Sequence, residues 1–303
     1  MIMHVRCSVN PRGLRLVVLA GGILLAAWLG VACTSTPSSA PGAVDLQTTL
    51  STYLNSLPEG WDGLSPAELN DYIRSAKPFI VDIREAKEVA DADAGYIIGS
   101  VDIPIRSLVK NLDKLPAKDQ PIVVTCGNGH GSALAMEALQ LLGYENVKTL
   151  VGGVTAWKAA NLPVTTGTPP EPKTGRAPEV NNELVAALDG YFNNLPNGKW
   201  LVAPLTLKDL TASSDPFQLD LREPKEVADR GSIAGSTPIP IRTLIDHLDQ
   251  LPPDKGALII VECNNGHRSA MAMLALGLLR YTYVRSLAGG LDEWTKEGLP
   301  LTR

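Results

Sequence analysis

The segment Asp82-Ile-Arg-Glu-Ala-Lys-Glu-Val-Ala-Asp91 occurs a second time as Asp220-Leu-Arg-Glu-Pro-Lys-Glu-Val-Ala-Asp229, with eight of ten residues identical. Working outward, Ile103-Pro-Ile-Arg-Ser-Leu returns as Ile239-Pro-Ile-Arg-Thr-Leu, Cys126 as Cys263, Gly152-Gly153 as Gly289-Gly290, and Trp157 as Trp294. Upstream, Tyr53 and Leu57-Pro58 return as Tyr191 and Leu195-Pro196, so each unit includes a leading helix. The offset stays between 136 and 138. A period this long means duplicated whole domains, because solenoid repeats run ~20–50 residues.

Within each unit, short apolar runs alternate with helical patterns. Phe79–Asp82 and 122–125 are rich in β-branched residues and read as strands. Ala133 to Leu142 has apolar residues at helical spacing and stops at Gly143. That alternation predicts an α/β fold with a mostly parallel sheet flanked by helices in each domain. Ligands of such sheets bind beyond the carboxyl ends of the strands, and both Cys126 and Cys263 stand at such an end.

The chemistry is read from Cys126-Gly-Asn-Gly-His-Gly-Ser132 and Cys263-Asn-Asn-Gly-His-Arg-Ser269. Each follows a strand and opens a helix, whose first N–H groups lack internal partners and whose dipole is positive at that end. Glycine lets the loop curl so that amides converge on one point and stabilise a thiolate there. The reading expects an exposed, reactive sulfur that can carry a second sulfur as a persulfide. Cys263 and Cys126 are the candidate catalytic residues. Gly127, Asn128, Gly129 and His130 in the first loop, and Asn264, Asn265, Gly266, His267, Arg268 and Ser269 in the second, are the candidate substrate-binding residues. Arg84 and Arg222 have Glu88 and Glu226 one helical turn later and read as salt-bridged to them, with Arg222 also kept as a substrate ligand. The two histidines read either as oxyanion donors or as loop-surface residues.

These motifs identify each unit as similar to a rhodanese domain, over roughly 45–166 and 179–303. The resemblance rests on Asp82/Arg84, Gly95–Gly99, Cys126, Gly152-Gly153 and Trp157, and on Asp220/Arg222, Gly231–Gly235, Cys263, Arg268, Gly289-Gly290 and Trp294. It implies transfer of sulfane sulfur, from thiosulfate or a similar donor, to a thiophilic acceptor through a persulfide on the loop cysteine. The partners implied are a small sulfur-containing anion and a thiol acceptor, with no cofactor and no metal. The first loop departs from the pattern: Gly131 stands where the family carries arginine, which makes Cys263 the first choice for catalysis. Neither loop has Arg or Lys directly after the cysteine, where thiosulfate-using members often do. A cysteine phosphatase would need a loop one residue longer than the four residues between Cys263 and Arg268. A binding or scaffolding protein is the alternative, and Gly131 favours it for the first domain.

The remaining sequence is an address. Arg6, Arg12 and Arg15 precede an apolar run from Leu16 to Ala32, and Cys33 follows directly. This is the layout of a secretory signal, and its end resembles a lipobox, with Cys33 the lipidated residue. The alternative is an uncleaved anchor, since seventeen residues sit at the lower edge of a span of ~17–25. The reading assigns 1–33 to a lipoprotein signal, 34–44 to a tether and 167–178, with four prolines, to a linker between the domains. It expects a bacterial lipoprotein, extracytoplasmic and held to the cell envelope by its N-terminal lipid. A net charge of −5 gives no footprint for nucleic acid. A Cys126–Cys263 disulfide is not expected.

Overall fold

The computed structural model describes residues 44–303 apart from 90–93, 168 and 197–199. The signal, the lipidation site Cys33 and nearly all of the tether lie outside the described residues.

The first repeat contains strands β1 (Gly63–Leu64), β2 (Phe79–Asp82), β3 (Tyr96–Ile97), β4 (Ser100–Asp102), β5 (Ile122–Thr125), β6 (Val147–Leu150) and β7 (Val164–Thr165). Its helices are α1 (Leu46–Ser56), α2 (Pro66–Ala76), α3 (Ala86–Val89), α4 (His130–Leu141) and α5 (Gly153–Ala159). The five-stranded sheet has the order β1-β6-β5-β2-β4 and is parallel throughout. β3 and β7 form a separate antiparallel pair. The central strands β2 and β5 are buried along nearly their whole length, as a sheet covered by helices on both faces requires.

The second repeat adds β8 (Leu201–Val202), β9 (Phe217–Asp220), β10 (Thr237–Pro238), β11 (Ile259–Glu262) and β12 (Val284–Leu287), with helices α6 (Asn182–Asn194), α7 (Pro204–Ser213), α8 (Pro224–Arg230), α9 (His267–Leu278) and α10 (Gly290–Lys296). Its sheet, β10-β9-β11-β12-β8, is again all parallel. Two tandem α/β domains with parallel sheets are therefore what the repeat encodes. α4 starts three residues earlier than its apolar spacing suggested. Gly129 turns the chain at φ 90°, so His130, Gly131 and Ser132 already form the helix's first turn.

The largest apolar core runs through both repeats, because the equivalent helices α4 and α9 pack on each other. A smaller core lies on the outer side of each sheet, centred on Trp157 in one domain and Trp294 in the other. Each tryptophan indole donates to a proline carbonyl beyond its helix, Pro163 at 2.9 Å and Pro300 at 3.0 Å.

The leading helices are exchanged in space. α1 packs on the 3₁₀ segment Ile241–Gln250 of the second repeat, and α6 packs on Leu108–Lys110 of the first. Neither helix has a basic residue in its last turn. The orphan carbonyls there are met instead by an arginine of the other repeat. Arg106 donates to the carbonyls of Phe192, Asn193 and Leu195, and Arg242 donates to those of Asn55 and Pro58.

Candidate active site

Each cysteine follows the central strand of its sheet and sits below the first turn of α4 or α9. Its sulfur is cradled by backbone. Cys126 Sγ accepts from the amides of Gly129 at 3.2 Å and Ser132 at 3.3 Å, and Cys263 Sγ accepts from Gly266 at 3.1 Å. These are the unpaired donors of a helix N-terminus, and they favour negative charge on the sulfur. Asn128 and Asn265 brace the turns by accepting from the amides of His130 and His267.

The double-glycine motifs close the loops from the other side. A side chain on Gly290 would begin 2.4 Å from the Cys263 carbonyl oxygen, and one on Gly153 equally close to that of Cys126. Both glycines have left-handed backbone, and the following amides, Leu291 and Val154, donate to those same carbonyls. The sulfur is not exposed as the sequence reading expected, because it lies beneath the first turn of the helix that follows it. Cys126 is 5% accessible and Cys263 fully buried. No disulfide joins them.

The two loops differ in charge. Arg268 donates Nη1 to Glu226 Oε2 at 2.6 Å and Nη2 to Glu226 Oε1 at 2.8 Å, a bidentate pair. Asn264 Nδ2 donates to the same carboxylate at 2.7 Å. Glu226 thus ties two residues of the loop together. Burial raises its proton affinity, but Arg268, the Glu223 amide and Asn264 outweigh that and bring it down to about 2. Burial likewise disfavours the charge on Arg268. Glu226 and the Cys263 sulfur more than offset it, so the guanidinium is held firmly protonated. In the first repeat Gly131 occupies the arginine's place, 3.6 Å from Cys126 Sγ measured from where its Cβ would lie.

Three sequence expectations are corrected. Arg84 and Arg222 do not pair with Glu88 and Glu226. They double back onto Asp82 and Asp220, with closest contacts of 2.6 Å in each, and onto the carbonyls of Gly95 and Gly231. Arg222 is fully buried in that role and ties the strand end to the loop after α8 instead of standing open to a substrate. His130 and His267 are not loop-surface residues. Each ring is buried against the other repeat: His130 lies against Gly266 and edge-on to Trp200, and His267 lies against Gly63. Burial lowers both to about 4, which leaves them neutral near pH 7. Ser269 has no hydrogen-bond partner for its buried hydroxyl, whereas its counterpart Ser132 is held by Thr149 at 2.6 Å.

The strand-loop-helix cysteine site, present twice, is matched by the model of the rhodanese-like domain over residues 65–160 and 203–297. The chain belongs to the rhodanese-like family. It is 36% identical over 95 residues to the thiosulfate sulfurtransferase GlpE of Stutzerimonas stutzeri, covering 31% of this chain and 82% of that protein. It is 35% identical over 81 residues to the adenylyltransferase and sulfurtransferase uba4 of Ogataea parapolymorpha, where the match covers 26% of this chain and spans only 20% of the relative. Among solved structures, the 3-mercaptopyruvate sulfurtransferase of Escherichia coli is 21% identical, with 75% of this chain and 98% of that one covered at a TM-score of 0.35. GlpE and uba4 are sulfurtransferases, and rhodanese-like domains with such relatives support sulfur transfer as the general chemistry.

Glu226 was missed as a site residue although it stands in the repeated decapeptide. Its local partner by spacing was Arg222, and that spacing concealed its real one.

Proposed function

We propose that the protein is an extracytoplasmic sulfurtransferase of the rhodanese type, working mainly through Cys263. The observation that carries this reading is the Cys263 sulfur facing the Gly266 amide, with the Arg268–Glu226–Asn264 network fixing the loop around it.

The Cys263 thiolate attacks the outer sulfur of a sulfane donor. The donor's S–S bond breaks, its electron pair leaves with the remainder of the donor (sulfite, if the donor is thiosulfate), and a persulfide forms on Cys263. A thiophilic acceptor then attacks that outer sulfur and the Cys263 thiolate leaves. The Gly266 amide that faces the thiolate also favours the anionic persulfide. No external oxidant or reductant is consumed. Asn264 follows the cysteine and is tied to Glu226, so the loop's cation is Arg268, itself paired with Glu226.

Gly131 favours a different role for the first domain. Cys126 keeps its amide cradle but lacks the guanidinium, so this domain serves chiefly to support the second. The N-terminal address, with Cys33 as lipidated residue, places the pair of domains outside the cytoplasm on a membrane. Globomycin-sensitive processing and a lipid-bearing N-terminal peptide test that placement.

For the chemistry, the test is thiosulfate:cyanide sulfurtransferase activity of the chain beginning after Cys33, beside Cys126→Ser and Cys263→Ser. Loss only in Cys263→Ser is the expected result. An inactive parent, with other sulfane donors also failing, leaves a binding module as the better account.

A further inference from the structure

The second domain's site is not built from the second domain alone. Trp61 belongs to the first repeat, in the turn between α1 and β1. Its ring centroid lies 4.9 Å from the guanidinium carbon of Arg268 and 4.6 Å from that of Arg242. Arg268 is therefore held in two ways, bidentate by Glu226 and across its planar face by an indole, the strongest of the aromatic partners for a cation. The turn that delivers the indole is strained. Gly60, Trp61 and Asp62 run consecutively at φ 77°, 58° and 54°, left-handed backbone that non-glycine residues rarely adopt. That conformation is kept by contacts on either side: Asp62 accepts from Lys148 at 3.0 Å and from Gln140 at 2.9 Å, and the ring of His267 packs against Gly63.

The pairing is one-sided. By the offset of 138 that aligns Leu57-Pro58 with Leu195-Pro196, the second repeat carries Lys199 at the place of Trp61. The first repeat carries Gly131 at the place of Arg268. The residue after Lys199, Trp200, lies edge-on to His130 of the first repeat, so a tryptophan crosses on both sides but only Trp61 has an arginine to face. What sets Trp61 apart is its partner: its ring covers the guanidinium of Arg268, whereas Trp200 meets a neutral histidine.

We propose that Trp61 is a positioning residue of the Cys263 site, supplied in cis by the first domain, that pins Arg268 beside the sulfur and makes the site selective for anionic reagents and donors. The proposal rests on Cys263 being the reactive centre of a sulfurtransferase, but its test does not need sulfur transfer. Without the indole the Arg268–Glu226 pair is solvated and free to swing outward, and its guanidinium acts on Cys263 through water.

The test compares alkylation of each cysteine by iodoacetate, an anion, and iodoacetamide, its neutral analogue. It is done in the full chain under conditions where both parent cysteines react, with peptides read by mass spectrometry. In Trp61→Ala the iodoacetate-to-iodoacetamide rate ratio at Cys263 is expected to fall about tenfold, the equivalent of ~1.4 kcal/mol. The ratio at Cys126 serves as the internal reference and stays within about twofold of the parent. Trp61→Phe, which keeps a π face and guards against a misfolded alanine variant, restores most of the Cys263 ratio. An unchanged ratio at Cys263 overturns the proposal. So does an equal change at both cysteines, the signature of a tryptophan that only fills the interface. If the ratio falls as expected while the parent never accepts sulfur, Trp61 keeps its role and the sulfurtransferase reading is the one that fails.

Discussion

Arg268 and Glu226 meet at 2.6 and 2.8 Å across the mouth of the Cys263 loop, and the same place in the first repeat is held by Gly131. The pair keeps the loop in shape, and its negative half offsets the guanidinium that an anionic donor would use. Neutralising Glu226 should therefore separate stability from donor capture. Glu226→Gln is expected to lower stability by about 1.5–3 kcal/mol, the range for a charge-assisted hydrogen bond. It should also lower the KM for thiosulfate several-fold. Thermal unfolding beside steady-state kinetics checks both, and a raised KM contradicts the argument.

Gly131 marks what the first domain lacks. The first carbon of a side chain there would meet Ile83 Cδ1 at 3.2 Å and the sulfur and Cβ of Cys126 at 3.6 and 3.8 Å, and the residue lies in ordinary helical backbone. Gly131→Arg should be accommodated by a small movement of Ile83. In a Cys263→Ser background it should raise sulfur transfer at Cys126 about tenfold, the usual scale for a well-placed charge. Activity no higher than that of Cys263→Ser itself would show that the first loop lacks more than its cation.

Glu137 lies in the middle of α4, fully buried against the other repeat, with neither carboxyl oxygen hydrogen-bonded. Burial raises its proton affinity far above the carboxylate range. The second repeat has Leu274 at the equivalent position of α9. Glu137→Leu should therefore stabilise the chain by about 1–3 kcal/mol, the cost of an unsatisfied buried polar group. Chemical denaturation measures it, and a destabilised variant means that the carboxyl has a partner.

Glu262, immediately before Cys263, is buried and accepts from Ser236 Oγ at 2.6 Å. Burial is the main cause that lifts it to about 8; Asp220 lifts it further, while Ser236 and Arg222 pull it down. The folded chain therefore holds a proton that an unfolded chain releases above ~4.3. Stability consequently falls as pH rises from about 4 to about 8 on this residue's account. In Glu262→Gln that contribution should vanish, so the variant gains on the parent as pH rises through this window. Parallel curves of melting temperature against pH would contradict it.

Much of this was legible in the sequence. Phe79–Asp82 and Ile122–Thr125 are strands with the bounds their β-branched runs suggested, because a parallel strand covered on both faces is a continuous apolar run. The cysteine loops were legible because their chemistry is local, a strand end followed by glycines and a helix start. What failed were the contacts made across the chain. Arg222 has a carboxylate one helical turn away in Glu226, yet it pairs with Asp220, two residues before it on the strand end. The distant Arg268 takes Glu226 instead. The histidines looked like loop-surface residues because the loops are polar, and only the packing of one repeat on the other buries them. Trp61 gave no signal at all, since its role depends on an arginine 207 positions later in a different domain.

The central claim is that Cys263 carries the transferred sulfur. The most direct measurement is the mass of the two loop-cysteine peptides after exposure of the full chain to a sulfane donor without an acceptor, under conditions that preserve persulfides. The account predicts one added sulfur atom on the Cys263 peptide, removed again by cyanide, with little or none on the Cys126 peptide. Sulfur on Cys126 alone, or on neither cysteine with every sulfane donor tried, would contradict it.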